Sequence, residues 1–182
     1  NTNAPFGFRY IGDVSGGSLT DATTYALVQS TNTTAIFSGD PVSPDGSGFI
    51  VQAAAGTTQL NGIFRQVEYL NSAVGRNIWS PYWPGSGNSG NGSALIQANP
   101  FSLFVAQALN TAIVRADIGG NINFALGTAG STVTGQSGAT LDQSTITTTN
   151  TLPFKIYGLW SDYAPPGAPG TDNASAYNWA VV

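Results

Sequence analysis

Neither cysteine nor histidine occurs anywhere in the 182 residues. Without cysteine there are no disulfides and no thiolate metal ligands, and the redox compartment cannot be read. Without histidine the commonest general base is gone, so a Ser-His-Asp triad is impossible and zinc would need carboxylates alone. Charge is nearly as scarce. Five Lys and Arg and nine Asp and Glu make 8% charged residues, against about 25% in ordinary soluble domains. The four arginines, Arg9, Arg65, Arg76 and Arg115, are scattered, whereas nucleic acid selects clustered cations that release counterions. Nucleic acid is therefore not an expected partner. No run of about 18 apolar residues exists, so no membrane-spanning helix is expected. No signal peptide is visible and the chain does not open on Met, which suggests ends already processed.

What fills the chain instead is Gly, Ser, Thr and Asn beside 41% hydrophobic residues. That combination does not describe disorder, which needs low hydrophobicity or high net charge. It describes a β-rich protein whose solvent faces are hydroxyls rather than ion pairs. The length suits one domain, residues 1–182, burying roughly 70% of its unfolded surface. A surface so poor in charge has little electrostatic defence against association, which points towards life inside an assembly.

The stretch from Leu60 to Pro84 organises the rest. Ile63, Arg65, Val67 and Tyr69 alternate with Phe64, Gln66, Glu68 and Leu70, the period of a strand. Turn residues follow at Asn71–Arg76, then a return strand, so a hairpin is expected. It ends in Ser-Pro-Tyr-Trp-Pro (Ser80–Pro84), where two prolines withhold ladder hydrogen bonds. Tyr82 and Trp83 either cap the end of a core or anchor a partner, because Tyr and Trp dominate interface hot spots. At the amino end, Pro5 and Gly7 argue against regular structure. Residues 1–12 read as an arm whose Phe6 and Phe8, with Arg9 beside them, must be covered by the chain itself or by a neighbour.

Short strands are expected at Tyr25–Ser30, Thr34–Ser38, Phe49–Ala53, Ala94–Ala98, Phe101–Ala108, Ile122–Leu126, Phe154–Ser161 and Ala176–Val182. Leu109–Gly119 is the one helical candidate, ended by Gly119-Gly120. Polar loops are expected at Ser15–Thr24, at Gly85–Ser93, which holds no apolar residue, and at Gly127–Asn150, tacked down by Leu141 and Ile146. The fold class is thus all-β: a compact barrel or sandwich of short antiparallel strands with long loops and an extended N-terminal arm.

Two carboxylates would suffice for glycoside hydrolysis. Yet Asp13, Asp40 and Asp45 stand in turn sequences, Asp142 and Asp172 in polar loops, and Asp117 near the helical candidate. Glu68 reads as an ion-pair partner of Arg65 or Arg76. No calcium-loop or phosphate-loop motif occurs. The expectation is no enzyme, no metal and no cofactor.

The order of short motifs carries a resemblance. Asn3–Arg9 (Asn-Ala-Pro-Phe-Gly-Phe-Arg), Ala35–Val42 (Ala-Ile-Phe-Ser-Gly-Asp-Pro-Val), Gly62–Phe64 with Glu68-Tyr69, Ser80–Pro84, Ala116–Asn121, Thr134–Gly138 and Tyr177–Trp179 together resemble a family of small virion proteins of tailed bacteriophages. The resemblance implies a head decoration, or cement, protein on the outer capsid surface. It would bind the major capsid protein and copies of itself, as a trimer, and it brings no catalytic or metal residue. Phe6, Phe8, Arg9, Tyr82 and Trp83 are the interface candidates. A glycan-binding module using Trp79, Tyr82, Trp83 or Trp160, and a tail or head-completion protein, are the alternatives.

Overall fold

The structure, a computed structural model, describes residues 1–16 and 23–182. The polar loop expected at 15–24 lies largely outside the described residues. In chain order the strands are β1 (Arg9–Asp13), β2 (Thr23–Val28), β3 (Ile36–Phe37), β4 (Pro41–Pro44) and β5 (Ile50–Gln52). Then come β6 (Gly62–Asn71), β7 (Arg76–Ser80), β8 (Tyr82–Trp83), β9 (Asn88–Gln97) and β10 (Ser102–Gln107). The last are β11 (Asn121–Ala125), β12 (Thr140–Thr147), β13 (Phe154–Lys155), β14 (Gly158–Leu159) and β15 (Trp179–Val181). They form antiparallel sheets in the orders β1-β10-β15-β14, β12-β11-β13 and β2-β9-β6-β4-β5, with β7 on β6 and a separate β3-β8 pair. The architecture is all-β and sandwich-like, and it is not a closed barrel.

Two apolar clusters fill it. One draws Phe104, Ala106, Ala180 and Leu159 from the first sheet and Ile122, Phe124 and Leu141 from the second. The other lies under the large sheet and holds Val28, Ile36, Val42, Ile50, Phe64, Val67, Tyr69, Trp83, Ala94 and Ile96. Strand β6 serves both. Pairing with β9 slips between Phe64 and Gln66, and such a bulge re-aims the side chains around it. Ile63 thereby enters the first cluster, while Phe64, Val67 and Tyr69 enter the second. Strict alternation would have sent Phe64 outwards with Gln66.

Three sequence expectations are corrected. Leu109–Gly119 is not a helix; among its residues only Arg115–Asp117 form a single 3₁₀ turn. The buried Asn178 side chain takes both backbone groups of Ile113, accepting from its N–H at 2.9 Å and donating to its carbonyl at 2.7 Å. That holds Ile113 in the core and occupies groups a helix would have needed. Gly85–Ser93 is not wholly a loop, because β9 begins at Asn88 and pairs with both β2 and β6. Its apolar filling comes from elsewhere: a Cβ on Gly92 would stand 2.6 Å from the Trp83 ring. The run 127–150 is likewise no mere surface excursion, since Ser137, Ala139, Thr140 and Leu141 are buried and 140–147 is strand β12.

The amino end is an extended strap laid on its own body. Asn1 donates to the Asp172 carbonyl at 2.8 Å, and Gln107 donates to the Thr2 carbonyl at 2.8 Å. Arg9–Asp13 then join the first sheet as its edge strand. Gly7 lies at the crossing, in the left-handed region at φ 74°, where a Cβ would meet the Ser137 Cβ at 2.6 Å. Gly46 has a similar φ of 83° with open space around it. Gly46→Ala should therefore cost only the conformational penalty, about 1 kcal/mol, and Gly7→Ala clearly more. Urea denaturation of both variants checks this, and equal losses would show that the close approach is slack.

Candidate functional site

The one fully buried carboxylate among the described residues is Asp40, 1% exposed. It stands in the Ser-Gly-Asp-Pro turn between β3 and β4. Its Oδ2 accepts from the Phe37 N–H at 2.8 Å and from the Gln52 amide at 2.7 Å, and its Oδ1 accepts from the Ser137 hydroxyl. A hydroxyl donating to a carboxylate is a step towards nucleophile activation. Both groups are buried, however, and the Ser137 oxygen also accepts from the Ala139 N–H. The arrangement is a structural knot that ties three segments together.

Burial outweighs these three donors and raises the Asp40 carboxyl above its ordinary value. A carboxyl raised in the native state holds its proton more tightly folded than unfolded. Its stabilising contribution is complete below the ordinary value near 3.8 and is lost as pH rises through the native one. Asp40→Asn keeps a carbonyl for Phe37 and Gln52 and can donate to Ser137. Relative to that variant, wild-type stability should rise on acidification from neutral pH, followed by denaturation at stepped pH. A pH-independent difference would contradict the burial. Asp40→Leu strands three donors and should cost at least about 2 kcal/mol at any pH.

The five residues expected at an interface do not form one surface. Trp83 is fully buried, its indole donating to the Asn32 carbonyl at 3.0 Å and its ring edge-on to Tyr69 at 5.5 Å. Phe8 is also core, stacked on Phe154 at 4.5 Å. As contact residues both are corrected: packing inside the chain has already used their rings. Phe6 is half-buried against Trp179 at 4.7 Å, with the exposed Arg9 guanidinium 5.1 Å from its ring centre. Tyr82 is half-buried and stacks on Phe37 at 5.6 Å. The prolines around it do not prevent pairing, because β8 bonds β3 on one side only. Glu68 forms no ion pair with Arg65 or Arg76; its Oε1 accepts from the Asn77 amide at 3.3 Å.

A surface does emerge where the sequence offered only scattered residues. On the outer face of the large sheet, register aligns Tyr25 with Leu95 and Gln66, and Leu27 with Ser93, Glu68 and Trp79. Leu70 lies beside them, opposite Asn77. Tyr25 is 68% exposed and Trp79 53%, with Leu27 and Leu70 also exposed. Glu68 is the one charge within these rows. Tyr25 and Leu27 stand at one side of this face and Leu70 and Trp79 at the other, with Gln66, Glu68 and Ser93 between them. Exposed apolar residues grouped on one face mark contact sites more often than scattered ones do. The signal was present in the sequence as the outward-pointing alternation of β2 and β7, but it needed the β9 register to assemble.

Among the described residues no group of three or more Asp and Glu side chains could hold a metal ion. Comparison with protein-family models, with curated proteins and with solved structures finds no match.

Proposed function

We propose that the chain is a non-catalytic structural protein of a tailed-phage particle. It decorates and stabilises the outer capsid surface as a cement protein, binding the major capsid protein and copies of itself. The observation that carries this reading is the outer face of the large sheet, which exposes Tyr25, Leu27, Leu70 and Trp79 around Gln66, Glu68 and Ser93. Its size fits the role. Four strands about 4.8 Å apart and six residues at about 3.3 Å each span roughly 20 by 20 Å. That is about 400 Å² on one partner, less than the 600 Å² or so per side of a stable free complex. One such contact is weak, whereas a lattice that presents the same contact many times converts it into firm attachment.

Leu27→Asp with Trp79→Asp tests the reading. Both side chains are exposed, so stability should change by no more than about 0.5 kcal/mol each. Occupancy on shells assembled from the capsid protein, followed by co-sedimentation, should fall at least about tenfold. Wild-type protein that stays monomeric at micromolar concentration and does not sediment with shells would contradict the proposal. A second reading draws on Trp79, whose exposed ring lies beside the hydrogen-bonded Glu68–Asn77 pair. That is a stacking platform for a sugar, and glycan-array binding abolished by Trp79→Ala would favour it.

A further inference from the structure

A second surface, beyond the Gln97–Ile63 row at the end of the large sheet, has the makings of a binding site. An open groove of about 770 Å³ runs between four segments: the 58–63 connection, residues 97–104, residues 153–157 and Val182. That volume falls within the range of about 300–1,000 Å³ typical of ligand sites. Its walls are apolar and partly bare, with Phe101 61% exposed and Tyr157 48%. Three polar features interrupt them. Lys155, the only lysine of the chain, stands exposed in the groove lining. It has no carboxylate partner: the single ion pair among the described residues joins Arg115 to Asp162. Gln97, 2% exposed, carries an amide nitrogen with no hydrogen-bond partner, and the Ser102 hydroxyl is orphaned in the same way. An orphaned buried polar group costs about 1–3 kcal/mol, and both of these residues belong to the groove lining.

We infer that this groove binds an extended acidic segment of a partner polypeptide, with an apolar side chain laid between Phe101 and Tyr157 and an adjacent carboxylate on Lys155. Charge complementarity selects the occupant. A cation without a counter-ion asks for an anion and the bare apolar wall beside it asks for an apolar side chain, and a peptide supplies both along one strand. The inference does not rest on the particle reading.

Panning a display library of random linear heptapeptides against the intact protein tests it. Enriched sequences should place Asp or Glu next to Phe, Leu, Ile or Tyr. A synthetic peptide of the enriched sequence should perturb the amide resonances of residues 58–62, 97–104 and 153–157. Lys155→Glu, an exposed change that should leave the fold intact by thermal denaturation, should weaken that peptide at least about tenfold. Phe101→Ala should weaken it too. Enrichment of basic or uncharged sequences, or binding indifferent to Lys155→Glu, would overturn the inference. So would groove shifts on adding octanoate when no peptide produces any, because the site would then serve a small amphiphile.

Discussion

The Asp40 carboxylate is the point on which the two halves of the molecule turn. Its turn lies between the clusters, and the backbone around it reaches both. The Phe8 N–H donates to the Gly39 carbonyl at 2.9 Å and the Gly39 N–H to the Phe64 carbonyl at 2.8 Å. Ser38 accepts from the Ser137 N–H at 2.9 Å and donates to the Gly135 carbonyl at 2.9 Å. The strap, the central strand and the 131–139 loop thus meet within three residues. A carboxylate can accept from several donors at once, and here it takes three from three segments. No apolar side chain of that size could do so. Desolvating it is costly, which is why the same site is pH-sensitive and why it needs Ser137 and Gln52 so close.

Much of the fold was legible in the sequence because it depends on local chemistry. The β6–β7 hairpin declared itself through alternation bounded by Asn71 and Gly75. The β4–β5 hairpin did so through Pro44-Asp45-Gly46, where Asp45 accepts from the Ser47 and Phe49 N–H groups. What could not be read depended on partners distant in the chain. Asn178 lies 65 residues from Ile113, so nothing local marked the false helix. Gly92 looked like linker for a nearer reason: the Trp83 ring, nine residues earlier, fills the space a side chain there would take. Asp40 looked like a turn former, and it is one. Its role as a knot rests on Ser137, 97 residues away.

Two of the five interface candidates, Phe8 and Trp83, are core residues for a related reason. Aromatic residues beside proline and glycine attract notice in a sequence, yet Trp83 and Phe8 are conspicuous because they fill cores that small residues surround. Tyr25, Leu27 and Trp79 are individually ordinary. Only the β2-β9-β6-β7 register brings them into adjacent rows with one carboxylate among them. The body is tied together internally at Asp40, and the large sheet turns Tyr25, Leu27, Leu70 and Trp79 outward.

A reconstruction of an intact particle, at a resolution that traces this chain, is the most direct measurement. The account predicts copies on the outer shell with the Tyr25–Trp79 face turned against a neighbouring subunit. Copies whose large sheet looks out to solvent, or particles that carry no such chain, would contradict it.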